Sequence, residues 1–385
     1  MNRLRLRIAS FAIACLFAAT ASAQAPVRLG VSATMTGPNA VNGVSTVNGL
    51  KLALEHLNAA GGVDGKPVAL DVKDDKGTPT EAQAVFDQLI KSNVMMIFGP
   101  TLTPQAEQAW VFSDAAKVVA FGTSLTSSHL TKIGTYTFRN AVTEDIMTPQ
   151  SIRAAASKLG VTRVAAIFQD DDNFAQNAYF AAGPAILKSK ATMVAREPFL
   201  AGTKEFPARI ARIKAAKPDV LYISTRANDA AAIMIEAKKQ GLDVPVIGNN
   251  NFVSQAIYDT AKDAANNVVF TIPWSLDFES PKNLAFIAAY EAKYKAKPNH
   301  FAALAYDALF IVAEALRKTT LTGDLAADRT AFRDALAKVS YEGATGKVKF
   351  VRNGSSGYDA DKDVFTHIYR NKKLEYWKTG FFGGF

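Results

Sequence analysis

Strand-like and helix-like segments alternate along most of this 385-residue chain. That alternation predicts an α/β protein built on parallel sheets with helices covering both faces. Two further observations divide it. The pattern restarts at about residue 149, each series being about the size of one doubly wound domain. No Ser/Gly- or Pro-rich linker lies between the series, which favours two lobes joined by short crossings over two beads on a flexible string.

The first series opens with a strand over 27–32. A helix over 44–60 follows, with Leu50, Leu54 and Leu57 on one face and Gly61-Gly62 to stop it. Next come a strand over 68–72, a helix over 80–91 introduced by Pro79 and Thr80, and a short buried strand over 95–98. A helix over 104–116 and a strand over 118–121 close the series. The second series runs helix 149–159, strand 164–168, helix 174–187, strand 192–196, helix 206–216, strand 220–224 and helix 230–240, then strands over 246–248 and 268–272. Two helices rich in Ala and aromatic residues, 281–295 and 301–317, come too late to begin a third domain. They are expected to return and complete the first.

The chain's first residues bear on where it works. Arg3, Arg5 and Arg7 precede an apolar run over 8–19, and Ala21-Ser22-Ala23 supplies the small-x-small pattern of a cleavage site. Residues 1–23 therefore read as an export signal, too short in its apolar part to span a bilayer. Cys15 falls within it, so the mature chain is expected to be free of cysteine and to work in the periplasm. The formal charge is +9, with three of those charges on the signal arginines. The rest is spread along the sequence, which argues against nucleic-acid binding. With 49% hydrophobic and 21% charged residues the chain can bury ordinary cores.

Several short motifs then occur in a telling order. They are Thr36-Gly37-Pro38, Gly43, Gly49, and a helix ending Leu57-Asn58-Ala59-Ala60-Gly61-Gly62-Val63. Asp74-Asp75, Phe98-Gly99-Pro100, Leu130-Thr131, Phe138-Arg139 and Ala201-Gly202-Thr203-Lys204-Glu205-Phe206 follow. Together they resemble the bacterial periplasmic binding proteins of the leucine/isoleucine/valine type, which serve ABC importers. The resemblance implies a type I fold with three hinge crossings, placed near Thr143, Pro273 and Gly357. Residues 26–143 with 274–357 would form one lobe, and 144–273 with 358–385 the other. It also implies a monomer that closes on a small ligand and hands it to membrane permease subunits.

Physical chemistry directs attention to the same cleft. Ligands of open α/β sheets sit beyond the carboxyl ends of the strands. Thr101-Leu102-Thr103-Pro104 follows one such strand, with Thr103 expected as N-cap and Pro104 at the first helical position. Free N–H groups at that helix start favour a carboxylate. Residues 122–128 follow another strand and offer hydroxyls and backbone; on these residues alone, simple capping is the better explanation of either loop. The resemblance adds roles. Thr103, the Ser124 backbone and Thr126 would hold the ligand carboxylate. Asn42 and Phe174 stand where the family places aromatic residues, and Trp274 and Tyr306 are weaker candidates for the apolar wall.

Two departures from the family bear on the ligand. The acidic residue that meets a ligand ammonium falls at Asn250, and a tyrosine position falls at Arg226. An Asn does not offset a buried ammonium as a carboxylate does, whereas Arg presents a fork suited to a carboxylate. One reading gives a ligand without an ammonium, or with a second acidic group: an aromatic or aliphatic acid, or a dicarboxylate. The other turns Arg226 outward to pair with Asp229 and keeps leucine and its relatives as ligands.

Other function classes find little support. The sequence lacks G-x-S-x-G, G-x-G-x-x-G, a phosphate-binding P-loop and H-E-x-x-H, and its four histidines, His56, His129, His300 and His367, are scattered. No catalytic residue, metal or cofactor is expected. The run Asp170-Asp171-Asp172-Asn173 lacks EF-hand spacing and reads as a solvated loop. A soluble sensor docking onto a separate receptor is the alternative function, and an α/β enzyme a more distant one.

Overall fold

A computed structural model describes residues 25–377 apart from Glu205. The expected export signal, 1–23, lies outside the described residues. The first part of the chain runs β1 (Val27–Ala33), α1 (Ala40–Ala59), β2 (Val68–Asp74), α2 (Pro79–Lys91), β3 (Met96–Phe98), α3 (Thr103–Ala115), β4 (Val119–Gly122) and β5 (Thr137–Arg139). There follow α4 (Glu144–Leu159), β6 (Arg163–Gln169), α5 (Asn173–Lys188), β7 (Thr192–Phe199), α6 (Pro207–Ala215), β8 (Val220–Ser224), α7 (Ala227–Lys239), β9 (Val246–Gly248), α8 (Gln255–Ala261) and β10 (Val268–Ile272). The rest is α9 (Pro281–Tyr294), α10 (His300–Arg317), α11 (Leu325–Leu336), β11 (Ser340–Gly343), β12 (Gly346–Arg352), β13 (Tyr358–Asp361), β14 (Phe365–Arg370) and β15 (Lys373–Tyr376).

These strands form two sheets, ordered β11-β12-β13-β5-β4-β3-β1-β2 and β15-β14-β10-β9-β8-β6-β7. Each is parallel through its middle and antiparallel at one edge, where β11 and β12, or β14 and β15, join. The expected parallel sheets are thus present, each with antiparallel strands added at one edge. The chain passes between the sheets at 140–143, 273–280 and 362–364. The last passage lies beyond Gly357, because Tyr358 to Asp361 still pairs with β12 and β5.

Alternation along single strands explains why both faces of each sheet carry helices. Met96 and Phe98 join the core under α1 and α10, while Ile97 between them joins the core under α2 and α3. In the second sheet Ala165 and Ile167 face one core, and Val164 and Ala166 the other. The late helix α10 packs along α1, and that contact requires Gly49: a Cβ there would collide with the Ala302 carbonyl. His56 on α1 bonds the Tyr306 hydroxyl on α10 at 2.8 Å, a structural role for both. Among the described residues no helix is long and apolar enough to cross a membrane.

Candidate functional site

Loops beyond the carboxyl ends of β3 and β4 in one lobe, and of β6, β8 and β9 in the other, converge on one cavity of about 340 Å³, counting its opening to solvent. Both sheets reverse strand order nearby, between β1 and β3 and between β6 and β8, which is where such folds bind ligands. Seven of the residues singled out from the sequence line it: Asn42, Thr103, Ser124, Thr126, Phe174, Arg226 and Asn250. Trp274 does not. Its indole N–H donates to Asn283 at 2.8 Å, its ring packs on Phe286, and it belongs to a satellite core with Leu52 and Tyr290. The sequence pattern missed Phe301 and Asn251, which also line the cavity. Phe301 comes from the returning α10, so only three-dimensional packing reveals it. Asn251 was visible as the last of three asparagines.

The first loop is set from below. Asp75, fully buried, accepts from Ser32, Thr34 and the Gln105 amide at 2.9, 2.8 and 2.6 Å. Gln105 in turn accepts the Leu102 backbone N–H at 2.9 Å, and Thr101 accepts that of Thr34 at 3.0 Å. Leu102 occupies the cap position and Thr103 is the first helical residue of α3, so the helix starts one residue earlier than expected. The Thr103 hydroxyl lies 3.2 Å from that of Ser127, so the two cavity loops touch. Asp74 beside it binds the Met35 and Lys76 N–H groups and the Thr36 hydroxyl. Although burial opposes this, those bonds hold its carboxyl below the usual range.

The second loop is held by Arg139, a fully buried guanidinium. It donates to the carbonyls of Leu125, Ser127 and Ser128 and to Asp359 on β13 at 2.7 Å. Ser124 from this loop and Asn251 from the other lobe both line the cavity, and Ser124 Oγ and Asn251 Nδ2 are buried with no hydrogen-bond partner among the described residues. Two buried, unpartnered polar atoms on residues around one small space are costly unless something else bonds them.

At the second lobe Arg226 has a partner that neither sequence reading named. Arg226 does not pair with Asp229. Its Nε and Nη2 both lie 2.9 Å from Asp172 Oδ2, and its guanidinium carbon sits 4.9 Å from the Phe174 ring centre. The cation thus faces the cavity with a carboxylate at its back. Asp172 also caps α5 through Ala175, and Asp170 and Asp171 bond Gln176, Gln169 and Ala201, so the acidic run is committed to local structure. Behind Asn250 lies a second carboxyl. Glu144 accepts the Asn250 backbone N–H at 3.3 Å, and burial pushes its pKa up to about 7.

The lobes meet at the rim. Asn177 on α5 accepts the Ser128 N–H and donates to its hydroxyl at 3.2 and 2.9 Å, and Asn173 donates to Glu107 on α3 at 2.8 Å. These contacts describe a closed cleft.

Comparison with known proteins agrees with this architecture. The family model described as periplasmic binding protein matches residues 26–359. The chain is 25% identical over 354 residues to the leucine-, isoleucine-, valine-, threonine- and alanine-binding protein of Pseudomonas aeruginosa, covering 92% of this chain and 93% of that one. A branched-chain amino acid transporter substrate-binding protein from Streptococcus pneumoniae, solved with isoleucine, superposes with a TM-score of 0.80 and 28% identity over 91% of this chain and 98% of its own. A solute-binding protein of an ABC transporter from R. palustris, solved with benzoate, superposes with a TM-score of 0.78 at 18% identity, covering 91% and 95%.

Proposed function

This chain belongs to the periplasmic binding protein family, and on that premise we propose that it is the extracytoplasmic solute-binding component of an ABC importer. Its ligand is a small molecule bearing a carboxylate, either a branched-chain or other hydrophobic amino acid or an aromatic or aliphatic organic acid. The observation that carries this reading is the pair of buried, unpartnered polar atoms, Ser124 Oγ and Asn251 Nδ2, on residues that line a cavity at the start of α3. N–H groups at a helix start, hydroxyls and an arginine together make a receptor for an anion.

In this reading Thr103, Ser124 and Thr126 receive the carboxylate in the open form. Phe174, Arg226, Asn250 and Asn42 complete the enclosure as the lobes close, and Phe301 adds apolar wall. Ligand shifts the open and closed populations by binding the closed form more tightly. The closed form, marked by the Asn177–Ser128 and Asn173–Glu107 bonds, is what the permease subunits would recognise. The protein acts as a monomer, after export directed by residues 1–23, and releases its ligand unchanged.

A melting-shift panel of leucine, benzoate and succinate tests the reading. Ligand at about a hundred times its dissociation constant adds roughly 2.7 kcal/mol, an easily measured rise in midpoint. No shift from amino acids, aromatic acids or dicarboxylates would contradict it.

A further inference from the structure

Glu144 is the first residue of α4, directly after the chain's first passage from one sheet to the other. Its backbone N–H donates to the Thr126 carbonyl at 2.9 Å, which ties it to a cavity loop of the first lobe. Its carboxyl is fully buried and faces the second lobe. There Oε1 accepts from the Asn250 N–H at 3.3 Å and Oε2 from the Thr148 hydroxyl at 2.7 Å. One residue thus touches a cavity loop of each lobe at a point about which the lobes turn. No cation pairs with this carboxyl among the described residues. The titratable groups facing it are Asp145, its neighbour on α4, and the phenol of Tyr222 from β8.

We infer that Glu144 is a positioning residue through which ligand binding at this cleft takes up a proton: the ligand's carboxylate, enclosed by the loops that Glu144 touches, drives this buried, cation-free carboxyl to its neutral form. The inference rests on the proposed reading of the cleft as a carboxylate site. A buried carboxylate without a cation is unfavourable, and a ligand carboxylate nearby makes it more so. The neutral acid keeps both contacts, since Oε1 still accepts from Asn250 and Oε2–H donates to the Thr148 hydroxyl, which rotates to receive it. Burial has already moved the group to about 7 in the closed form. The proton comes from solvent on ligand binding and returns there on release. A ligand that carries an ammonium offsets the charge and lessens the uptake.

Calorimetric titration of the full chain with benzoate and with leucine, in phosphate and in Tris, counts the protons without any variant. The expected result is uptake by wild type with benzoate near pH 6.5, and a dissociation constant that rises about tenfold between pH 5.5 and 8. Glu144→Gln, which imitates the neutral acid, should stay close to the wild-type value at low pH throughout. Glu144→Ala should weaken binding at every pH by freeing the Asn250 loop. A flat wild-type profile, or a slope that survives in Glu144→Gln, overturns the inference and leaves the site reading intact. Binding of neither probe at any pH removes both.

Discussion

Arg226 Nε lies 2.9 Å from Asp172 Oδ2 while the same guanidinium rests over the Phe174 ring. The cation that distinguishes this cleft is therefore partly neutralised and fixed in place before any ligand arrives. Nη1 has no acceptor among the described residues, so one edge of the fork stays available to an anion. Asp172→Asn would keep the α5 cap, since Asn caps as well as Asp, but release the charge. We expect it to tighten dicarboxylate binding by about tenfold, the scale of one charged hydrogen bond. Titration with succinate and benzoate checks this, and unchanged succinate affinity would assign Arg226 a structural role.

Ser124→Ala separates ligand contact from folding. Its Oγ has no partner among the described residues, so the free protein should keep its stability within about 0.5 kcal/mol. Affinity for the carboxylate ligand should fall by about fivefold to tenfold, the loss of one ordinary hydrogen bond. Thermal melts with and without ligand read both quantities. Equal losses in free and bound protein would count against the role given to Ser124.

Arg139 should be the most damaging single position in the second cavity loop. Replacing it with Met takes the cation from Asp359, which keeps only Thr131 and Asn353 among the described residues, and removes a donor from three backbone carbonyls. Breaking such a buried pair costs about 3–5 kcal/mol. Arg139→Lys should recover little, because an ammonium does not reproduce the fork that reaches Asp359 and the loop together. Urea unfolding measures the loss, and a cost below about 1 kcal/mol would show that the loop is held otherwise.

Acid should destabilise the fold through two histidines. Burial pushes His300 down to about 3 and His367 down to about 4, so both stay neutral in the folded chain. Unfolded, each protonates near 6.5. Between about 6.5 and 4 the unfolded chain binds protons that the fold refuses, and stability falls as pH falls. Glu144, raised to about 7, runs the other way, because its neutral form favours the fold at lower pH. A His300→Gln, His367→Gln double variant should therefore lose less of its melting temperature between pH 7 and 4.5 than wild type does. An equal loss would show that other groups set the acid limb.

The sequence carried the alternation and most helices because long periodic segments report their own environment. It was less informative where the cause is remote. β5 is only three residues long, and the strands after residue 340 carry no strong period of their own. Asp74-Asp75 was visible as a motif, yet its reason appears only when Ser32, Thr34 and Gln105 converge on Asp75. Trp274 looked like a pocket wall because an aromatic beside a crossing has no signature that separates it from core. Glu144 gave no sign at all, since the Asn250 N–H that it meets lies 106 residues away. Arg226 was noticed from its position, but its partner Asp172 was hidden in a run that read as solvated.

What the whole account requires is that the ligand's negative charge be held where the start of α3 faces Ser124 and Thr126. Calorimetric titration of the best-binding carboxylic acid against its neutral primary amide measures this directly. The amide should bind at least about a hundredfold more weakly, because it lacks the charge that those N–H groups and Arg226 recognise. Equal affinity for acid and amide would contradict the account.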